Sequence, residues 1–224
     1  MKNKNLFTKV ICISFLLTTL FTTSTSYAAT QTNDNELKAN QQGEYSQAYT
    51  DSEWAKAKNK PIMQDKTASK FSTNRLTSKS LVGSYPTRFG VILVTADAYK
   101  GLIPTGHAAI IWDTDKVIES VPSGVVIGPN NWNNTKGTCY GVTVNTTTED
   151  QDTAAANWCK TKVGLPYNFN YLNPYTRSEF YCSQLVYASF LDNYGVNLNT
   201  SAYFQAVHPM ELVNTPNTNT IYQK

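Results

Sequence analysis

A polar, aromatic-rich stretch gives way at Tyr181-Cys182-Ser183-Gln184 to the apolar segment that begins Leu185-Val186-Tyr187, and this junction constrains the chain more than any other part. Leu185, Val186, Ser189 and Phe190 line one face of a helix predicted from Cys182 to Tyr194, with Gly195 placed to close it. Cys182 then lies in the first turn, where backbone N–H groups lack intrahelical partners and the helix dipole favours a thiolate. Upstream, Gly164-Leu165-Pro166-Tyr167 ends fifteen residues before the cysteine.

A thiolate nucleophile needs a base, and the chain has two histidines. His107 opens the strand-like run His107-Ala108-Ala109-Ile110-Ile111-Trp112, and Glu119 follows it by twelve residues. Asp113-Thr114-Asp115-Lys116 is a turn signal and Val117-Ile118-Glu119-Ser120 a return strand. A three-residue turn at Asp113 to Asp115 pairs Ala109 with Glu119. His107 is then the diagonal neighbour of Glu119, about 7–8 Å away between backbones and within a carboxylate's reach. A two-residue turn would set the two side chains on opposite faces. His208 is the alternative base; followed by Pro209 in a segment without strand alternation, it reads as a turn residue.

Around this constellation, Phe89 to Val94 reads as a buried strand and Gly137 to Val144 as another, after a turn at Gly128-Pro129-Asn130-Asn131. Asp150 to Val163 is helix-like, with Gly164 in a C-cap position. Strands, helix, loop and helix in that order predict an α+β domain with an antiparallel sheet.

The N-terminus reads as a secretory signal over residues 1–28. Lys2, Lys4 and Lys9 precede an apolar run from Val10 to Phe21, and Ser26-Tyr27-Ala28 ends it. That run is shorter than the ~20 apolar residues a spanning helix needs, and no later stretch qualifies. Of 19 basic and 16 acidic residues, three lysines and no acids fall in the signal, so the remainder is formally neutral. It carries no basic stripe for nucleic acid or an anionic membrane. Residues 29–80 are polar, with a possible short helix near Ser52 to Lys58, and read as a flexible leader or pro-segment. Residues 81–224 form one domain. Cys139 and Cys159 either pair, leaving Cys182 as the odd free thiol, or lie as buried small hydrophobes. No Cys or His spacing gives a zinc pattern.

The Gly-x-Pro-Tyr motif, the aromatic loop, a Cys-Ser pair opening an apolar helix, and Gly106-His107 with a polar residue twelve positions on resemble the NlpC-type papain-like cysteine peptidases. The histidine block precedes the cysteine block here. That order resembles the circularly permuted branch, described as YiiX/YebB-like and similar in topology to lecithin–retinol acyltransferase-type proteins. The resemblance covers about Leu81 to Val213. It implies a papain-like fold, an antiparallel sheet or small barrel packed against helices with the cysteine at a helix N-terminus. It further implies Cys182 as nucleophile, His107 as base, Glu119 as orienter, and Tyr167 with the Cys182 N–H as oxyanion donors. This chain differs in carrying Tyr181 where many members have aspartate and Gln184 where they have glycine. It also has a longer interval from Tyr167 to Cys182, without the usual Gly-Gly after the tyrosine.

The expectation is an exported cysteine peptidase or amidase, working through a thioester without metal or organic cofactor on a small peptide, amide or lipid. An acyltransferase or lipid-directed hydrolase is one competing reading, a non-catalytic small-ligand module another. Tyr181 and Arg177 are further candidates for substrate contact, and Arg88 with Arg177 for a carboxylate clamp.

Overall fold

A computed structural model describes residues 47–66, 83–97 and 106–224. The signal-like segment 1–28 lies outside them, as does much of the polar stretch that follows. Among the described residues, six strands form one open antiparallel sheet: β1 Ile92–Thr95, β2 His107–Asp113, β3 Lys116–Val121, β4 Gly124–Pro129, β5 Tyr140–Val144 and β6 Thr218–Gln223, ordered β4-β3-β2-β1-β5-β6. Five helices accompany them: α1 Gln47–Lys58, α2 Trp132–Thr135, α3 Glu149–Lys160, α4 Cys182–Tyr194 and α5 Glu211–Asn214. The fold is α+β, as the element order predicts.

The central strands are apolar on both faces because both are covered. Ile92, Val94, Ala108, Ile110 and Ile118 meet α3 and α4 through Ala155, Ala156, Leu185, Val186 and Phe190. Val91, Leu93, Ala109, Ile111 and Val117 face a smaller cluster built on Trp132, Cys139, Ile221 and Tyr222. Cys139 and Cys159 thus belong to clusters on opposite faces, and both are free thiols. Of the two readings of this pair, the structure adopts buried small hydrophobes.

Several sequence expectations need correction. Gly124–Pro129 is a strand, not the run-up to a turn at 128–131. It forms one edge of the sheet, where a terminal proline breaks no interior ladder. The helix before the loop stops at Lys160, and Gly164 (φ +95°) instead donates its N–H to Val125 O at 2.9 Å, tying the chain to β4. Residues 47–66 are not a flexible leader. Ala57 is fully buried in the core, Trp54 stacks on Tyr140 at 5.9 Å, and Ile62 bridges Thr220 of β6. Arg88 holds Asp65 through two hydrogen bonds of 2.9 Å and reaches Asp152 at 2.8 Å, so that arginine is a strut rather than a substrate clamp.

Candidate active site

The β2–β3 hairpin sets the register of the site. The chain turns through Thr114 and Asp115, closing on the pair Asp113–Lys116, a tighter turn than the three-residue one expected from the sequence. An irregularity between Ile111 and Asp113 adds one residue to β2, and the ladder resumes as Ile111–Val117, Ile110–Ile118 and Ala109–Glu119. A β-bulge absorbs one residue in this way. It restores the register that puts His107 and Glu119 on one face, and His107 Nε2 lies 2.6 Å from Glu119 Oε2.

Past Ala109–Glu119 the two strands separate. β2 continues with β1 to His107–Thr95, while β3 continues with β4 to Val121–Gly124. The start of α4 enters this opening, anchored by Ser120 Oγ donating to Phe180 O at 2.5 Å. Cys182 is the first residue of the helix, preceded by an extended Tyr181 whose N–H donates to Gln184 Oε1 at 3.0 Å. A small, partly open cleft lies here, lined by Gly106, His107, Ser120, Val121, Pro122, Tyr167 and Cys182.

The electrostatics follow from burial and pairing. His107 is 3% exposed, and burial alone would lower its pKa; hydrogen bonds to Cys182 and Glu119 outweigh this and raise it to about 9. Burial would likewise raise the Cys182 thiol. The hydrogen bond and charge of His107, with the Ala108 N–H that β3 no longer faces, bring it below the ordinary thiol value of 9.0. Opposite shifts on touching groups favour a thiolate–imidazolium pair, with Nε2 held by Glu119 and the other ring nitrogen left for sulfur. Trp132 stacks on His107 at 5.5 Å and 23°. Burial, then the Cys182 charge, push the Tyr167 phenol up, so it keeps its proton and remains a donor.

Other sequence candidates are used elsewhere. Tyr181 is 2% exposed and its hydroxyl accepts the Val207 N–H at 3.0 Å. Arg177 grips Asp192 at 2.6 and 2.7 Å and donates to Pro174 O and Thr176 O. Neither lines the cavity. His208 also stands apart: its Nδ1 accepts the Met210 N–H, its ring stacks on Tyr203 at 4.2 Å, and burial lowers its pKa to about 3. Two residues were missed in the sequence. Trp132 gave no signal as a histidine partner. Gly128, read as a turn residue, leaves room for Glu119, since a Cβ there would overlap Glu119 Oε1.

Comparison with known proteins agrees with this architecture. The crystal structure of the metalloprotein YiiX from Escherichia coli O157:H7 superposes with a TM-score of 0.50 at 16% identity, covering 63% of this chain and 99% of that one. At that identity the likeness concerns the fold alone. Among the described residues no three His, Cys, Asp or Glu side chains converge to hold a metal. The uncharacterized protein YycO of Bacillus subtilis is 31% identical over 131 residues, 56% of this chain and 52% of YycO, so the match spans about half of that relative. Residues 97–221 match the model of the permuted papain-like amidase enzymes, YaeF/YiiX, C92 family, and the chain belongs to that family.

Proposed function

We propose that the chain is a cysteine hydrolase that cleaves an amide through Cys182, His107 and Glu119. The observation that carries this is the thiol at the N-terminus of α4, touching an imidazole whose other side is held by a carboxylate at 2.6 Å. The Cys182 thiolate attacks the carbonyl carbon, and the oxyanion is met by the Cys182 N–H and the Tyr167 hydroxyl. The His107 imidazolium gives its proton to the departing amine, leaving a thioester on sulfur. His107 then takes a proton from water, whose oxygen displaces the thiolate and releases the acid. Glu119 holds the ring through both steps. The substrate in this reading is a cell-wall peptide or another small peptide. The signal-like segment 1–28 supports action outside the cytoplasm, and among the described residues no helix is long and apolar enough to cross a membrane.

The test is iodoacetamide labelling of Cys182 across pH in the protein cut after Ala28. A rate that stays high well below pH 9.0, the ordinary thiol value, is expected. A rate that climbs only toward pH 9 would identify an ordinary thiol and overturn the catalytic reading.

A further inference from the structure

The long interval between Tyr167 and Cys182 is a built feature. Phe180 donates its N–H to Pro166 O at 3.1 Å, closing residues 167–179 at the base in the manner of an Ω-loop. Inside the loop, fully buried Asn168 donates to Asn173 O at 3.0 Å and to Gln184 Oε1 at 2.9 Å, and Gln184 Nε2 donates to Thr176 O at 3.0 Å. The loop is thus pinned to the first turn of the helix that carries the nucleophile. The same Gln184 stands where the resembling family carries glycine.

Such a scaffold would normally turn apolar side chains inward, yet this one turns them out. Phe169 is 66% exposed, Tyr175 65%, Leu172 49% and Tyr171 41%. Phe169 and Tyr171 adjoin the cavity, because the Tyr167 ring that lines it lies 4.8 Å from Phe169 and 6.4 Å from Tyr171, and Leu172 and Tyr175 belong to the same loop. From Leu165 to Thr176 the loop carries no charged residue, and Arg177 behind it is committed to Asp192. An ordered apolar surface next to a reactive thiol suits a substrate group that is apolar and uncharged. Without a free basic side chain, it offers nothing to an anionic bilayer surface.

We infer that this loop is the specificity platform of the site, taking an aromatic or large aliphatic side chain that adjoins the amide to be cleaved. This rests on Cys182 being the nucleophile. The probes are iodoacetamide and its N-(2-naphthylmethyl) derivative, both losing iodide to the Cys182 thiolate, with glutathione as the intrinsic reference. The proteins are the chain cut after Ala28, the variant F169S/L172S/Y175S, and M63S, which removes an exposed apolar side chain away from the cavity.

In the wild type and in M63S, the naphthyl probe is expected to exceed iodoacetamide by about tenfold over the glutathione ratio, the scale of partly burying one aromatic group. The triple variant should fall back to the glutathione ratio. A wild-type ratio equal to that of glutathione, with fast iodoacetamide labelling, would overturn the platform and leave the nucleophile standing. Ordinary thiol rates toward iodoacetamide would overturn both. Sedimentation with phosphatidylcholine–phosphatidylglycerol vesicles that the triple variant abolishes, without probe preference, would assign the loop to a bilayer and overturn the inference.

Discussion

The two histidines occupy surroundings of similar burial and opposite character. His107 is 3% exposed and His208 7%. His107 sits between a thiol and a carboxylate and is raised to about 9, whereas His208, whose buried Nε2 has no hydrogen-bond partner, is lowered to about 3. The cysteines divide the same way. Cys139 and Cys159 are pushed up to about 12 by burial, and Cys182, alone among the described cysteines, is lowered, by its contact with His107. Burial therefore does not mark the site. What marks it is a buried group whose charged form is met by an opposite charge or an oriented N–H.

The sharpest way to break this comparison is to remove each histidine. Without the imidazolium, burial is left to dominate at Cys182, and its thiol should move above 9.0. Labelling at pH 7 should fall about 100-fold in His107→Ala, since only the thiolate is alkylated. In His208→Ala it should change less than about twofold. Equal losses in both would show that the labelling depends on folding in general and not on the ion pair.

Next in size is the acid limb of stability. A histidine with a folded pKa near 3 and an unfolded value of 6.5 binds fewer protons folded than unfolded in that window, so its contribution is lost as pH falls below 6.5. Taken singly, the raised His107 stabilises below pH 6.5 and loses that contribution as pH rises toward 9. The lowered Cys182 gains over the same range, up to 9.0. Together they only pass a proton from sulfur to nitrogen, so the pair adds no slope between those values. Between pH 6.5 and 5 the wild type should therefore lose about 2 kcal/mol more than His208→Ala in urea titrations. Parallel losses would place the acid sensitivity elsewhere.

Much of the site was legible in the sequence because it rests on local rules. The start of α4 follows from apolar periodicity after a polar loop, and the His107–Glu119 pairing from a twelve-residue spacing across a hairpin. The bulge that sets the register between Ile111 and Asp113 was not legible, since alternation alone does not announce an inserted residue. Gly128 and Pro129 read as part of a turn, and only the edge position of β4 makes them compatible with a strand. Residues 47–66 have few apolar side chains, and their docking depends on single long-range contacts such as Trp54 on Tyr140. Gly128 gives the third prediction. Gly128→Ala would force Glu119 off His107 while leaving both side chains present, and labelling at pH 7 should fall about tenfold. An unchanged rate would show that the carboxylate is not needed to hold the imidazolium.

The smallest expected effect tests what Trp132 does on the other face of the imidazole. Its ring stacks at 5.5 Å, close enough for its π-face to favour the imidazolium over the neutral ring, by about 0.5–1 kcal/mol. Trp132 is also 2% exposed, so it covers the His107–Glu119 hydrogen bond, and loss of either role alone would slow labelling of Cys182. The two separate in a pair of variants. Leucine covers the imidazole without a π-face, and phenylalanine keeps a weaker one. If the π-face matters, labelling at pH 7 should fall about threefold in Trp132→Leu and less in Trp132→Phe, with the upper pH limit of amide hydrolysis moving down from about 9 in the same order. If covering matters alone, the two variants should behave alike, and His107 would owe its raised pKa to Cys182 and Glu119 without help from the ring.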